Sequence, residues 1–344
     1  MSKKRNLGCF SFPAILLTSL VGSGIIQAFI PISLVTAFVL LLLFFSWLLG
    51  KLEGTHEKKF YWRYIVYSFL ILILTFGLRY ILDNEAISIE NQKSNISESI
   101  YREKFLENRD SITLLKHNRK WTDNYGNTFK GKFSVREKDY ITSKKEYLNQ
   151  IQKQKQLSWG KLYKYLAVSD TPKLDLILKE FTKIKEAKQL NQFEFAEMVV
   201  TFIQDIPYSF VFENACQPPS KYEESIKVVL EKCSDCCIGN IPFGIQNPVG
   251  FMGNLKGDCD TRTVIIYAIL SYFGYDVAIL NSDYYKHSIL GLHIPAKGIY
   301  KAYHGKKYYT WETTNKYFTL GTLPKNFDNI NHWYIVLINP TLSS

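Results

Sequence analysis

The sequence has few cysteines and lacks any one-sided concentration of basic charge. Six cysteines in 344 residues are too few for a disulfide-dense scaffold. The net charge is +11, but Lys and Arg are spread along the chain and interleaved with Asp and Glu. This spread argues against a nucleic-acid partner. With 47% hydrophobic residues, the chain has enough apolar material for one large or two ordinary folded domains.

Charged residues are also missing from the 45 positions 6–50. A single helix of that length would measure roughly 67 Å, about twice the hydrocarbon thickness of a bilayer. The pattern, with a third apolar run further on, therefore predicts three transmembrane helices, at about 9–30, 33–49 and 61–82. Together they define a membrane anchor over residues 1–82.

The basic residues beside these runs predict an orientation, because short cytoplasmic loops carry the excess of Lys and Arg. Lys3, Lys4 and Arg5 place the N-terminus inside, and the lysines between 51 and 59 also fall inside. We therefore expect a multi-pass protein of the cell membrane, in contact with the lipid bilayer, whose C-terminal domain is extracytoplasmic.

The rest of the chain divides by composition into three parts. Residues 83–117 are charged and rich in Asn and Ser, which predicts a stalk with an amphipathic helix near 98–108. Residues 118–200 predict a helical and hairpin subdomain, with two short strands around the turn at Gly126. Residues 201–344 alternate apolar runs and turn residues, and they predict the core domain.

Four of the six cysteines are clustered within 22 residues: Cys216, Cys233, Cys236 and Cys237. Disulfides are the favoured interpretation for a domain outside the cytoplasm, with the pairing open except that a bridge between the two adjacent cysteines would be strained. A four-thiolate zinc site and free structural thiols are the alternatives, and adjacent ligands suit tetrahedral zinc poorly. We expect no metal.

Cys259 stands apart from this cluster, between Asp258 and Asp260, at the point where an apolar, helix-like run begins. A thiol at a helix N-terminus is expected to have a lowered pKa, and its thiolate attacks carbonyl carbons. The structural alternative is a small buried residue at a helix start. A neighbouring base and an orienting acid would favour the nucleophile.

His287 and Glu312 are the candidates for that base and acid. Each lies on a predicted strand, and an antiparallel register centred between Ile299 and Tyr300 would place them opposite each other. A carboxylate in that position orients the imidazole, which then deprotonates the thiol. The rivals are a packed histidine, a histidine in a hairpin turn and two carboxylates that also suit helix capping: His293, His304, Asp258 and Asp260.

These motifs carry a family resemblance. Gly257-Asp-Cys-Asp-Thr-Arg262 before an apolar helix, His287-Ser-Ile-Leu-Gly291 and Trp311-Glu-Thr-Thr314 resemble the transglutaminase-like superfamily, in its bacterial membrane-attached branch. The family usually has Asp where this chain has Glu312. The resemblance implies an α+β fold: N-terminal transmembrane helices, then a transglutaminase-like (papain-like) domain in which a nucleophile-bearing helix packs on an antiparallel sheet.

The implied chemistry is attack of the Cys259 thiolate on an amide carbonyl of a protein or peptide, forming a thioester that passes to water or an amine. The oxyanion donor is the Cys259 backbone N–H, with Gln204 as a side-chain candidate. No cofactor is expected. The alternative is a catalytically inactive transglutaminase-like domain that serves as a binding or scaffold module on the cell envelope.

Overall fold

The computed structural model describes residues 100–153 and 158–339, together with the single positions 19, 41 and 44. The chain divides into two units, Met1–Ile96 and Ser97–Ser344. All the strands and helices given below belong to the second unit.

The spans predicted at 9–30, 33–49 and 61–82 lie outside the described residues, except at the three single positions. Within the described part of the chain, no helix is long and apolar enough to cross a membrane. The longest has 17 residues, about 26 Å at 1.5 Å per residue, whereas the hydrocarbon core measures about 30 Å. The structure therefore does not support the predicted N-terminal transmembrane helices. The predictions of a multi-pass membrane localisation and of a place in the cell envelope, which depend on those helices, are corrected with them.

The described residues form an α+β fold. The strands are β1 (Tyr101–Glu107), β2 (Asp110–Thr122), β3 (Thr128–Arg136), β4 (Phe210–Val211), β5 (Cys237–Ile238), β6 (Val277–Ser282), β7 (His287–Leu292), β8 (Tyr300–Tyr303), β9 (Lys306–Trp311) and β10 (Tyr334–Ile338). The helices are α1 (Glu137–Lys153), α2 (Trp159–Asp170), α3 (Asp175–Lys188), α4 (Gln192–Gln204), α5 (Glu224–Lys232), α6 (Pro248–Asn254) and α7 (Cys259–Tyr272). Three sheets result, in the strand orders β1-β2-β3, β10-β6-β7-β9-β8 and β4-β5.

The first sheet occupies part of the segment that the sequence predicts as a stalk. Residues 101–107, expected to be an amphipathic helix, form strand β1, which is exposed along most of its length. Strands β2 and β3 form the predicted hairpin around Gly126, where the side chain of Asp123 accepts hydrogen bonds from the backbone N–H groups of Tyr125 and Asn127. The hairpin buries alternate side chains against the helices.

The five-stranded sheet supports the candidate site. Helix α7 packs on strands β6 and β7, and helices α2, α4 and α6 pack on α7 from other sides. Its run from Val264 to Leu270 is buried all round, as expected for a helix with an apolar residue at nearly every position. One hydrophobic core extends from Leu115 to Leu337. This core includes residues from both sides of the predicted boundary at residue 200.

The cysteine cluster forms two disulfides, Cys216–Cys237 and Cys233–Cys236. Because all four sulfurs are paired, they offer no thiolate to zinc. Strand β4 pairs in parallel with β5, which begins at Cys237, so the Cys216–Cys237 disulfide joins the loop after β4 to strand β5. Among the described residues, Cys259 is the one cysteine without a disulfide.

His117 on strand β2 is 1% exposed, and its ring stacks on Phe133 with centroids 5.7 Å apart. Burial lowers the pKa of His117 to about 4, against 6.5 for the ordinary side chain. The unfolded chain therefore takes up the proton first, and the contribution of His117 to stability falls as the pH drops from 6.5 to about 4.

We predict that His117→Phe removes this dependence. At 1.36 kcal/mol per pKa unit, the free energy of unfolding of the variant should gain about 3 kcal/mol relative to the native chain between pH 6.5 and 4. Urea unfolding of both proteins across this range measures the difference, and a difference that does not change with pH would contradict the prediction.

Candidate active site

Cys259 is the first residue of helix α7, as the sequence predicts. The Asp258 side chain caps the helix by accepting a hydrogen bond from the Thr261 backbone N–H at 3.2 Å. A Cβ on Gly257 would lie 2.7 Å from the Phe251 ring and 2.8 Å from the Thr261 methyl group, so the position before the capping residue Asp258 requires glycine. This turn places the thiol at the helix N-terminus, next to strand β7.

The Cys259 thiol is 8% exposed and donates to Oδ2 of Asp260, with an Sγ to oxygen distance of 3.9 Å. Burial raises the pKa of the thiol well above its ordinary value, and the charges of Asp260, Asp258 and Glu312 add to the rise. A backbone hydrogen bond from Ser288 acts in the opposite direction.

The sequence-based expectation of a lowered thiol pKa is therefore wrong. A helix N-terminus stabilises a nearby negative charge by about 1 kcal/mol, or less than one pKa unit. Burial of an ionisable group shifts its pKa by up to about 3–5 units, and nearby like charges push it the same way. At Cys259 burial and the carboxylates outweigh the helix.

His287 and Glu312 form the predicted pair. Their side chains meet with Nε2 2.9 Å from Oε2, and the Glu312 side chain is 1% exposed. Oε1 of Glu312 accepts from the Thr314 backbone N–H at 2.7 Å and from its hydroxyl at 2.6 Å. Burial acts to raise the pKa of the Glu312 carboxyl, but the hydrogen bonds from His287 and Thr314 outweigh burial and hold it below its ordinary value.

The register of the two strands differs from the prediction by two residues. Leu290 pairs with Trp311, and extending that register places Glu312 opposite Ile289. His287 and Glu312 are therefore diagonal neighbours on one face of the sheet, a separation that long side chains can bridge. The extra methylene of Glu compared with Asp provides this reach.

Ser288 connects the nucleophile to the base. Its backbone contacts the Cys259 thiol, and its carbonyl accepts from the Thr263 hydroxyl at 3.4 Å. The His287 ring packs on Phe327, with centroids 5.1 Å apart. Nε2 is engaged by Glu312, so Nδ1 is the ring nitrogen that remains for a second partner. Among the described residues, no hydrogen bond joins the Cys259 thiol to the imidazole.

Gln204 does not occupy the oxyanion position suggested by the sequence. It is 3% exposed, and its Nε2 donates to the Glu312 carbonyl at 2.7 Å and to the Phe318 carbonyl at 3.2 Å. Both amide hydrogens are thus committed to backbone acceptors. Gln204 holds the loop that carries Glu312, and the Cys259 backbone N–H, in the first turn of α7, remains the candidate oxyanion donor.

The rival residues have other positions. Burial, followed by the charge of Asp260, raises the pKa of Asp258 to about 8, and its carboxylate serves as the helix cap. His293 is exposed and bonds the Lys307 carbonyl through Nδ1. His304 lies in the β8–β9 turn with a φ of +47°.

Arg262 is a site residue that the sequence analysis missed. It is fully buried, and its guanidinium donates to the Gly257 carbonyl and to the carbonyls of Ile203, Ile206 and Pro207 at 2.7–3.0 Å. These bonds fasten the turn before Cys259 to the end of α4. A charged residue within an apolar helical run was the available signal, because a buried charge requires partners.

The sequence analysis also missed a group of polar side chains beside Asp260, namely Tyr163, Ser288 and Asn281. Oδ1 of Asp260 accepts from the Tyr163 hydroxyl at 2.6 Å and from the Ser288 hydroxyl, and Asn281 contacts both of these donors. Among the described residues, no group of three or more His, Cys, Asp or Glu side chains is arranged to hold a metal ion.

Comparisons with protein-family models, with curated proteins and with solved structures find no match for this chain. The transglutaminase-like and cysteine-protease-like assignments therefore have no support from a family model. The resemblance rests on the short motifs alone.

Proposed function

We propose that this protein is a cysteine enzyme that transfers or hydrolyses an acyl group at an amide bond of a protein or peptide. The observation that carries the proposal is the buried hydrogen bond between His287, on strand β7 next to Cys259, and Glu312, in the loop after β9. A carboxylate fixed by Thr314 and aimed at an imidazole is the arrangement that orients a general base.

The proposed reaction uses these groups in turn. The Cys259 sulfur attacks the carbonyl carbon, its proton passes to His287, and the carbonyl electron pair moves to the oxygen, where the Cys259 backbone N–H is positioned to donate. The amine leaves with the proton from His287, and a thioester remains. Water or a second amine then releases the acyl group. This order of Cys, His and acid is also what the resemblance to the transglutaminase-like superfamily implies.

A second function, a catalytically inactive binding or scaffold domain, is favoured by the state of the thiol. Cys259 is buried, its pKa is raised, and its hydrogen-bond acceptor is Asp260 and not His287. In that case the His287–Glu312 pair only stabilises the fold.

Acylation by p-nitrophenyl acetate distinguishes the two functions. In an enzyme, the Cys259 sulfur should take the acetyl group as p-nitrophenolate leaves, and peptide mass analysis should find one acetyl group on the peptide that contains Cys259. His287→Ala should slow this step by about 10²–10⁴-fold, the usual contribution of a general base. The matched control is His293→Ala, which removes an exposed histidine and should leave the rate unchanged. Equal rates in the native chain and His287→Ala would favour the inactive domain.

A further inference from the structure

The carboxylate of Asp260 is held on one side and faces the nucleophile on the other. Oδ1 accepts from the hydroxyls of Tyr163 and Ser288, which come from helix α2 and strand β7. Oδ2 lies 3.9 Å from the Cys259 sulfur and accepts from the thiol. Helix capping does not explain this placement, because Asp258 caps α7.

The two donors to Oδ1 are themselves fixed. Asn281 donates through Nδ2 to the Tyr163 hydroxyl at 2.8 Å, and its Oδ1 lies 2.8 Å from the Ser288 hydroxyl oxygen, whose single proton is shared between Asn281 and Asp260. The side chains of Tyr163, Ser288 and Asn281 are all buried, at 1%, 1% and 7% exposure. The network therefore sets the orientation of the Asp260 carboxylate, and with it the position of Oδ2 beside the thiol.

We propose that Asp260 is a positioning residue, whose carboxylate accepts the S–H of Cys259 and keeps the thiol neutral in the resting protein. This inference rests on the proposed role of Cys259 as the nucleophile. A carboxylate oxygen 3.9 Å from sulfur disfavours the thiolate, and the S–H bond pointing at Oδ2 is not aimed at the imidazole. The raised pKa of the thiol agrees, since Asp260 is its largest cause after burial.

Other charged or titratable groups also surround the thiol. They are Asp258 and Arg262 on α7, Tyr208 before β4 and Glu312 after β9. Asp258 and Glu312 act in the same direction as Asp260, but neither accepts a hydrogen bond from the thiol in the described structure. Asp260 combines the charge with the contact, and this sets it apart.

The consequence for the reaction is a latent nucleophile. When the sulfur attacks, the S–C bond forms as the thiol proton moves to His287 and the carbonyl electron pair moves to oxygen. Asp260 keeps its hydrogen bonds to Tyr163 and Ser288 throughout. Its effect is on the resting state, in which the thiol is less reactive than a solvent-exposed cysteine.

The test is the pH dependence of Cys259 alkylation by iodoacetamide, followed by peptide mass analysis on the full 344-residue chain. Asp260→Asn keeps the shape of the side chain but removes its charge. In this variant the midpoint of the pH profile of alkylation should fall by about one pH unit or more, and the alkylation rate at neutral pH should rise about tenfold. The matched control is Asp276→Asn, a buried carboxylate bonded to Tyr308 and Lys306, whose profile should equal that of the native chain.

An Asp260→Asn profile that is unchanged or moved to higher pH would overturn the proposal. Urea unfolding checks the fold, and Asp260→Ser serves as the second variant, for which the same downward shift is required. Ser288→Ala leaves the carboxylate charge in place, so a shift as large as that of Asp260→Asn would also contradict the proposal. The proposed function fails on a separate result, acetylation that does not depend on His287, measured with Asp260 intact.

Discussion

Glu312→Gln is expected to reduce the rate of Cys259 acylation by about 10²–10⁴-fold while leaving the fold intact. The backbone N–H and the hydroxyl of Thr314 should donate to the oxygen of the new amide, because they already donate to Oε1 in the native protein. The amide NH₂ group then faces Nε2 of His287, at the position where Oε2 now lies 2.9 Å away. Two donors cannot share that position, so Nε2 must become the acceptor.

The ring proton then moves to Nδ1, the nitrogen that must take the proton from the thiol. The imidazole is held in the wrong tautomer, and the base is lost although every side chain keeps its place. The rate of acetylation by p-nitrophenyl acetate measures the effect. Glu312→Asp is the companion variant. It should lose part of the rate, because the shorter side chain does not span the diagonal to His287. The loss should be smaller than in Glu312→Gln, because the negative charge remains. A native rate in Glu312→Gln would show that Glu312 does not orient the base.

The helix and strands of the site could be predicted from local sequence patterns. An Asp-Cys-Asp turn before an apolar run predicts a helix that starts near Cys259, and the structure starts α7 there. The sequence predicts strands over 287–294 and 308–314, and the structure forms β7 over His287–Leu292 and β9 over Lys306–Trp311. Such patterns are local because capping and alternation depend on residues a few positions apart.

The pairing of these elements was less accessible. The predicted register was off by two residues, and since a shift of two keeps side chains on the same face, His287 and Glu312 still meet. Residues 101–107 were predicted to be helical but pair with β2, because a strand partner outside the local window decides the structure of a charged segment.

The electrostatics of the site could not be predicted from the sequence. The pKa of Cys259 depends on burial by the sheet and on three carboxylates, one of which, Glu312, is more than 50 residues away along the chain. The same holds for Gln204, whose amide is engaged by carbonyls on a distant loop. Both errors have one cause: the sequence shows which groups are present, and only packing decides which groups face each other.

Arg262→Met is expected to destabilise the protein by about 2–6 kcal/mol. Burial lowers the pKa of Arg262 to about 10, so the side chain remains charged at neutral pH. Its guanidinium supplies the hydrogen bonds of four backbone carbonyls, those of Gly257, Ile203, Ile206 and Pro207. Methionine fills much of the space but removes the donor of the Ile206 and Pro207 carbonyls, and each buried unsatisfied group costs about 1–3 kcal/mol. The Ile203 and Gly257 carbonyls keep the backbone N–H groups of Ile206 and Ser209 as donors.

The free energy of urea unfolding at pH 7 measures the loss, and Arg102→Met is the control. Arg102 is 72% exposed and paired with Glu137, so its removal should cost about 1 kcal/mol or less. Arg262→Lys should fall between the two, because a lysine keeps the charge but cannot direct donors along the planar fork of a guanidinium. A loss in Arg262→Met no larger than in Arg102→Met would mean that the Ile206 and Pro207 carbonyls find other donors, and that the turn before Cys259 is held by its helix cap and by the packing of Gly257.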